Sequence, residues 1–233
     1  MTFKAIIFDV DGTLAETEDT HRKAFNQAFD KKGLSWHWDR QLYRQLLKVT
    51  GGKERIRHFI EVNDPDHFPS KNLDSFIPDL HATKTAIYTR MIADGEAKLR
   101  PGIKSLIDKS FDDGIRLAIA TTTSLPNVEA LLLSTYGEEG IDKFEAICAG
   151  DVIDHKKPAP DIYLLALDKL GLAAADCVAI EDSRNGLLSA HQAGIATVIT
   201  PSIYTDDQDF AEAVLVTTNL DDVDFPSLYA DSH

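Results

Sequence analysis

Two carboxylates two residues apart, Asp9 and Asp11, follow a short apolar run and precede Gly12 and Thr13. In extended backbone, residues i and i+2 point to the same side, so the two acids start on one face. Close carboxylates repel unless a cation or a shared proton relieves them, and Gly12 lets the chain turn sharply behind the pair. Taken alone, this stretch is equally an acidic turn that caps a helix. Three further clusters shift the balance. Thr121, Thr122 and Thr123 follow a second apolar run and offer hydroxyls where a helix begins, a place suited to phosphate oxygens. Lys156-Lys157-Pro158 follows a third run and Glu181-Asp182-Ser183 a fourth. Each cluster has a bland reading: helix caps for the hydroxyls and for Asp182 or Ser183, a solvated basic turn for the lysines. All of those readings would have to coincide at neighbouring strand ends. Acids, hydroxyls and a lysine at one sheet edge are the groups that phosphoryl transfer needs, with a cation to disperse charge on the equatorial oxygens. Hard oxygen donors suit Mg²⁺. The eight histidines are scattered, and His37 and His58 show no zinc-ligand spacing.

The elements that must position these groups are legible as apolar runs at 5–8, 117–120, 146–149, 178–180 and 197–200. Continuous apolar character over so few residues fits strands covered on both faces of a parallel sheet. Helical spacing separates the last four: Ile103-Leu106-Ile107, Val128-Leu131-Leu132, Ile162-Leu165-Ala166 and Leu187-Leu188-His191, the last closed by Ala193-Gly194. The alternation predicts an α/β fold, a Rossmann-like doubly wound parallel sheet whose ligands bind at the carboxyl ends of the strands. Between the first and second strands, residues 15–95 carry helical patterns and no convincing strand, too long for a loop. The expected division is a catalytic core of residues 1–14 and 96–233 with a helical cap of residues 15–95 inserted after the first strand. Pro65, Pro69 and Pro78 punctuate the middle of the cap, and Arg100-Pro101-Gly102 marks the return to the sheet.

Composition narrows the partners. The 233 residues carry a formal charge of −14, which repels phosphate backbones and anionic lipid, so neither nucleic acid nor membrane is expected. A phosphorylated small molecule handled by so acidic a chain must be neutralised locally. The two cysteines, Cys148 and Cys177, each sit in a short apolar run and read as buried and reduced, with a cytoplasmic setting as the default. No apolar stretch reaches the roughly 18 residues of a membrane span, and Met1 leads directly into a strand rather than a signal sequence. A monomer is expected.

In order, spacing and strand context, the four clusters resemble the motifs of the haloacid dehalogenase-like (HAD) phosphatase superfamily, over essentially the whole chain. The resemblance implies that Asp9 attacks phosphorus to form an aspartyl phosphate. Asp11 then protonates the leaving alkoxide and activates the hydrolytic water, for which a raised Asp11 pKa is expected. It implies Thr121 as a phosphoryl ligand and Lys157, rather than Lys156, as the neutralising lysine. Mg²⁺ would be held by Asp9, the Asp11 carbonyl and Asp182, with Glu181 as a ligand or through water. The insertion resembles the helical C1-type cap of the β-phosphoglucomutase-like branch. More narrowly, Glu16-Thr17-Glu18, His21, the stretch Thr50-Gly51-Gly52-Lys53-Glu54-Arg55, and the run Ala120-Thr121-Thr122-Thr123-Ser124-Leu125-Pro126-Asn127 resemble the CbbY-type sugar phosphatases. That group implies hydrolysis of xylulose-1,5-bisphosphate, a misfire product that inhibits Rubisco. Physically, Gly52 admits close backbone approach, while Lys53 and Arg55 can hold a second phosphate or be solvated residues of a cap helix. Thr122 and Thr123 stand by the phosphoryl group. Glu16 at the hinge can accept sugar hydroxyls and His21 can line the mouth, or both can be ordinary first-turn residues. Asn127 can touch substrate or merely follow Pro126 in its turn. A β-phosphoglucomutase-type mutase and, further off, a phospho-accepting signalling domain are the alternatives.

Overall fold

The apolar runs become parallel strands because both of their faces find cover. In the computed structural model, which describes residues 3–64, 72–221 and 223–231, these are β1 (Ala5–Phe8), β2 (Arg116–Thr121), β3 (Ala146–Ala149), β4 (Cys177–Glu181) and β5 (Ala196–Ile199). A further strand, β6 (Leu215–Val216), was not anticipated: two residues are too short to leave a period in the sequence. The sheet order is β3-β2-β1-β4-β5-β6, every pair parallel. The chain winds outward on one side from β1 and on the other from β4, so the order reverses between these two neighbours. That switch point is where an open α/β sheet leaves a crevice. Asp9 follows β1 and Asp182 follows β4.

Each strand alternates between two cores. Ile6, Phe8, Leu117 and Ile119 enter one cluster, with Ile103 and Ile107 of α5 (Ile103–Asp112) and Val128, Leu131 and Leu132 of α6 (Leu125–Tyr136). Ala5, Ala118, Ala120 and Ala179 face the other cluster, where small side chains let α8 (Asp161–Leu170) and α9 (Arg184–Gln192) lie close. The short α7 (Glu139–Asp142) precedes β3, and α10 (Phe225–Asp231) ends the described chain.

Between β1 and β2 the cap is built by α1 (Glu18–Lys31), α2 (Arg40–Leu46), α3 (Gly52–Asn63) and α4 (Leu73–Ala93). It has its own aromatic core, in which the Phe25 and Trp38 rings lie 4.6 Å apart and Trp36 meets Phe59 edge-on at 5.3 Å. Pro78, expected to punctuate the cap, is carried inside α4, while Pro65 and Pro69 lie outside the described residues. The two connections between cap and core run side by side, through an Ala15–Leu99 bridge and a bond from Arg100 N–H to Leu14 O of 2.8 Å. The Arg100 guanidinium then fastens this crossing to the core by donating to the carbonyls of Gly12, Thr200 and Pro201. No helix among the described residues is long and apolar enough to cross a membrane.

Candidate active site

The strand-end clusters converge. Lys157 reaches back beneath the sheet edge, where its ammonium donates to Asp9 Oδ1 at 2.7 Å, Ala120 O at 2.9 Å and Glu181 Oε1 at 2.5 Å. All three of its N–H groups are thereby used. The other lysine of the pair, Lys156, turns to the cap instead and pairs with Glu54 at 2.8 Å and Asp151 at 2.7 Å. Burial raises Asp9 to about 7, Lys157 opposing and Glu181 adding to that rise. Burial, then the charges of Glu181 and Asp9, push Asp182 well above the ordinary carboxylate range. The Asp9, Glu181 and Asp182 carboxylates offer oxygens that all lie within 4.8 Å of one another. Three buried acids around one lysine carry excess negative charge, and hard oxygens are what Mg²⁺ takes, so this set fits that ion. Gly12 is required here: its φ is +80°, and a β-carbon would fall 2.2 Å from Asp182 Oδ2.

Asp11 belongs to a second network that crosses into the cap. Its Oδ1 accepts from the Thr17 hydroxyl at 2.5 Å and lies 2.8 Å from His21 Nε2, while His21 Nδ1 lies 2.5 Å from Lys84 Nζ. An ionised Asp11 can only accept, so Nε2–H donates to it and Nδ1 is left to accept from Lys84. The expected rise of the Asp11 pKa is not found. Burial acts upward, but the His21 ring and the Thr17 hydroxyl outweigh it and hold Asp11 below the usual range. Lys84 is lowered to about 7, mainly by burial, with Asp11 partly opposing.

A cavity of about 370 Å³ lies between core and cap above these groups. Of the residues singled out in the sequence, Asp9, Asp11, His21, Gly52, Arg55, Thr121, Thr122, Thr123, Asn127, Lys157 and Asp182 line it. Three do not. Glu181 is fully buried beneath the floor. Glu16 turns to Arg100, 3.5 Å away, because that guanidinium is already anchored at the hinge. Lys53 is drawn by Asp151 at 2.6 Å into an adjoining cavity that shares the Gly52 and His81 wall. Arg55 is committed to protein acceptors, the Leu46 and Val49 carbonyls and the Tyr43 hydroxyl. Asn127 is 2% exposed, and its Oδ1 has no partner.

Sequence reasoning did not pick out Lys84, His81 and Arg184, which also line the cavity. For Lys84 there was a signal: it interrupts the buried stripe Ile77-Leu80-Lys84-Tyr88-Met91 of α4, where a charge needs a purpose. The cap lies closed on the core. Asn185 donates to Thr50 Oγ1 at 3.0 Å, Arg44 reaches Asp206 at 2.8 Å, and Tyr204 OH reaches Asp19 at 2.9 Å.

The model of the haloacid dehalogenase-like hydrolases matches residues 3–194. Protein CbbY of Rhodobacter capsulatus is 52% identical, over 91% of this chain and 92% of its own. The crystal structure of CbbY from Rhodobacter sphaeroides in complex with phosphate superposes with a TM-score of 0.90 at 46% identity, covering 98% of this chain and 99% of that one. An Asp-to-Asn mutant of that protein, in complex with xylulose-(1,5)bisphosphate, matches with a TM-score of 0.88 at 47% identity, over 94% and 96% of the two chains. A sheet whose switch point gathers Asp9, Lys157 and Asp182 beneath a closed helical cap, matched over nearly its whole length, places the chain in the haloacid dehalogenase-like hydrolase family, on its CbbY branch.

Proposed function

We propose that this chain is a Mg²⁺-dependent phosphatase that removes phosphate from a sugar phosphate, with xylulose-1,5-bisphosphate as its substrate. The observation that carries the reading is the Lys157 ammonium bound between Asp9 and Glu181, beside Asp182, on the floor of a cavity that the cap closes. Asp9 is the nucleophile: its carboxylate stands at the strand end, oriented by Lys157, and splits the displacement into two steps through an aspartyl phosphate. Thr121, Thr122 and Thr123, at the mouth of α6, are the donors for phosphoryl oxygens. Asp9, the Asp11 carbonyl and Asp182 are the residues that would hold Mg²⁺, with Glu181 adjacent. When bound, the ion disperses charge on the transferring group.

Asp11 is the acid and base of the two steps, and His21 is the group that sets its protonation. With the His21 N–H on its carboxylate, Asp11 rests ionised, the state that accepts a proton from water in the second step. For the first step the proton must reach Asp11, and the closed Lys84–His21–Asp11 chain is the route the geometry offers.

Substrate class follows from charge. The chain carries −14 overall, yet Lys48, Arg55, Lys84, Lys157 and Arg184 line this one cavity. One cation at the floor serves the phosphate that is cleaved, and Lys48 on the cap side suits a second phosphate. The Rhodobacter sphaeroides complex with xylulose-(1,5)bisphosphate supports a bisphosphorylated pentulose. In this reading residues 1–14 and 96–233 are the catalytic core and 15–95 the cap that closes on substrate. Buried, unpaired Cys148 and Cys177 fit a reducing, cytoplasmic setting.

The test is phosphate release across sugar mono- and bisphosphates, with Asp9→Asn as control. Fast turnover of the pentulose bisphosphate, lost in Asp9→Asn, is the expected result. Metal-dependent release surviving in that variant would remove Asp9 from the nucleophile's role, and isomerisation of a glucose phosphate without phosphate release would make the chain a mutase.

A further inference from the structure

Glu181 is fully buried and holds two donors on one oxygen: Lys157 Nζ at 2.5 Å and the Tyr163 hydroxyl at 2.8 Å, both on Oε1. Its other oxygen, Oε2, accepts the Asp182 N–H at 3.2 Å. Behind it the first turn of α9 passes so close that a β-carbon on Gly186 would fall 1.9 Å from Oε2. The carboxylate is therefore clamped, from α8 by a hydroxyl and from α9 by backbone.

Tyr163 touches both members of the buried pair. Its hydroxyl holds Glu181, and its ring lies beneath the ammonium of Lys157, 5.1 Å from centroid to Nζ. It is itself fully buried on α8 and does not line the cavity. We propose that Tyr163 is a positioning residue for phosphoryl transfer: by fixing Glu181 it fixes Lys157, and through Lys157 the attack angle of Asp9. The inference rests on the phosphatase reading above.

Acceptors compete for the Lys157 ammonium. Lys157 has three N–H groups, and in this state Asp9, Ala120 and Glu181 take them all. An incoming phosphoryl oxygen must take one of these over. An unrestrained Glu181 would follow the ammonium, away from the Asp9 and Asp182 oxygens that repel it, and the ammonium would lose its fixed point. With Tyr163 and Gly186 holding Glu181, the ammonium can exchange acceptors while its position is kept. Such preorganisation acts on the reacting centre and not on the far end of the substrate.

Tyr163→Phe removes one oxygen atom and leaves no cavity. The expected result is a kcat about tenfold lower, the worth of a hydrogen bond to a charged group, with KM for a sugar bisphosphate unchanged within about twofold. The two effects must also be non-additive: in a Glu181→Leu background, Tyr163→Phe lowers kcat by less than about twofold, since its hydroxyl then has no acceptor there to hold. Melting temperatures of all four proteins are measured alongside, because a purely structural tyrosine lowers stability without touching the kcat-to-KM split. An unchanged kcat in folded Tyr163→Phe, or full additivity with Glu181→Leu, overturns the inference and leaves the phosphatase reading intact. A wild-type chain that releases no phosphate from any sugar phosphate overturns both together.

Discussion

Asp11 of the core and His21 of the cap meet at 2.8 Å, carboxylate to imidazole, so the acid two residues from Asp9 is held by an element of the cap. Thr17 joins them from the start of α1, and Lys84 closes the chain from α4. Any opening of the cap would break this contact, so the proposed mechanism ties proton transfer to closure. His21→Gln can keep one hydrogen bond to Asp11 but cannot relay a proton. It is expected to lower kcat by about 10²-fold or more, with a smaller change in KM, because positioned acid–base catalysis is worth that much. Steady-state kinetics on a sugar phosphate settles it; an equal rise in KM with kcat retained would make His21 a binding residue only.

Lys84 makes a stability prediction with a defined sign. Burial lowers its pKa from 10.5 to about 7 in the folded chain, Asp11 partly opposing. The unfolded chain therefore binds the extra proton between those two values, and stability rises with pH across that window. Below about 7 both states are protonated and the full penalty of a buried ammonium applies. Lys84→Met removes a penalty of a few kcal/mol at neutral pH and flattens the stability profile between about 7 and 10. Urea unfolding of both proteins over that range measures it. A variant no more stable than wild type at pH 7 would show that the ammonium is better compensated than its burial implies.

Lys157→Met carries the opposite expectation. It leaves Asp9 and Glu181 buried without the ammonium that both now share. Breaking a buried pair from one side costs about 3–5 kcal/mol, so the melting temperature should fall by many degrees and turnover should vanish. Asp9→Asn, which removes a charge rather than stranding one, should abolish turnover while leaving stability near that of wild type. A Lys157→Met chain as stable as wild type would contradict the charge balance described for this site.

Chelation tests the acidic cluster directly. EDTA should abolish phosphate release, and Mg²⁺ should restore it. Because the ion binds the folded chain alone, Mg²⁺ at a hundred times its dissociation constant should add about 2.7 kcal/mol of stability. Asp182→Asn should lose that increment, since one of three converging carboxylates is gone. A melting temperature indifferent to Mg²⁺ would argue against the assignment.

What could be read from the sequence was whatever a strand end fixes locally. Asp9, Thr121 and Asp182 each sit at the end of an apolar run, with Lys157 on the loop that follows another, and a parallel sheet brings such ends together. Side chains whose direction depends on a distant partner were not legible. Lys53 follows Asp151, and Glu16 follows Arg100, neither of which is near in sequence. The sign of the Asp11 shift was missed for another reason: burial raises it, but the His21 ring, through charge and hydrogen bond, and the Thr17 hydroxyl outweigh burial, and only the fold shows those side chains turned onto Asp11. Lys84 was overlooked because a lysine on a helix ordinarily faces water, and only its neighbours in the buried stripe of α4 say otherwise.

The Lys53–Asp151 and Lys156–Glu54 pairs span the cap–core boundary and yield the last prediction. Lys53, Glu54 and Asp151 are all at least partly exposed, so the pairs are screened by salt and together contribute about 1 kcal/mol to the closed state. Asp151→Asn removes the charge partner of Lys53 across the boundary, 2.6 Å away, and leaves Lys156 paired with Glu54 alone. If closure precedes chemistry, the apparent affinity falls with the closed fraction, by up to about fivefold, while kcat is kept. Salt should reproduce the effect. Raising ionic strength to about 0.5 M shortens the screening length enough to raise the wild-type KM toward that of Asp151→Asn, whose own KM should respond less. Freeing Lys53 also makes it available to a distal phosphate, so a bisphosphate should lose less affinity than a monophosphate. KM values for both substrates at two salt concentrations separate latch from ligand: an Asp151→Asn chain with unaltered KM at low salt would show that the cap is held by its uncharged contacts, among them the Asn185 bond to Thr50.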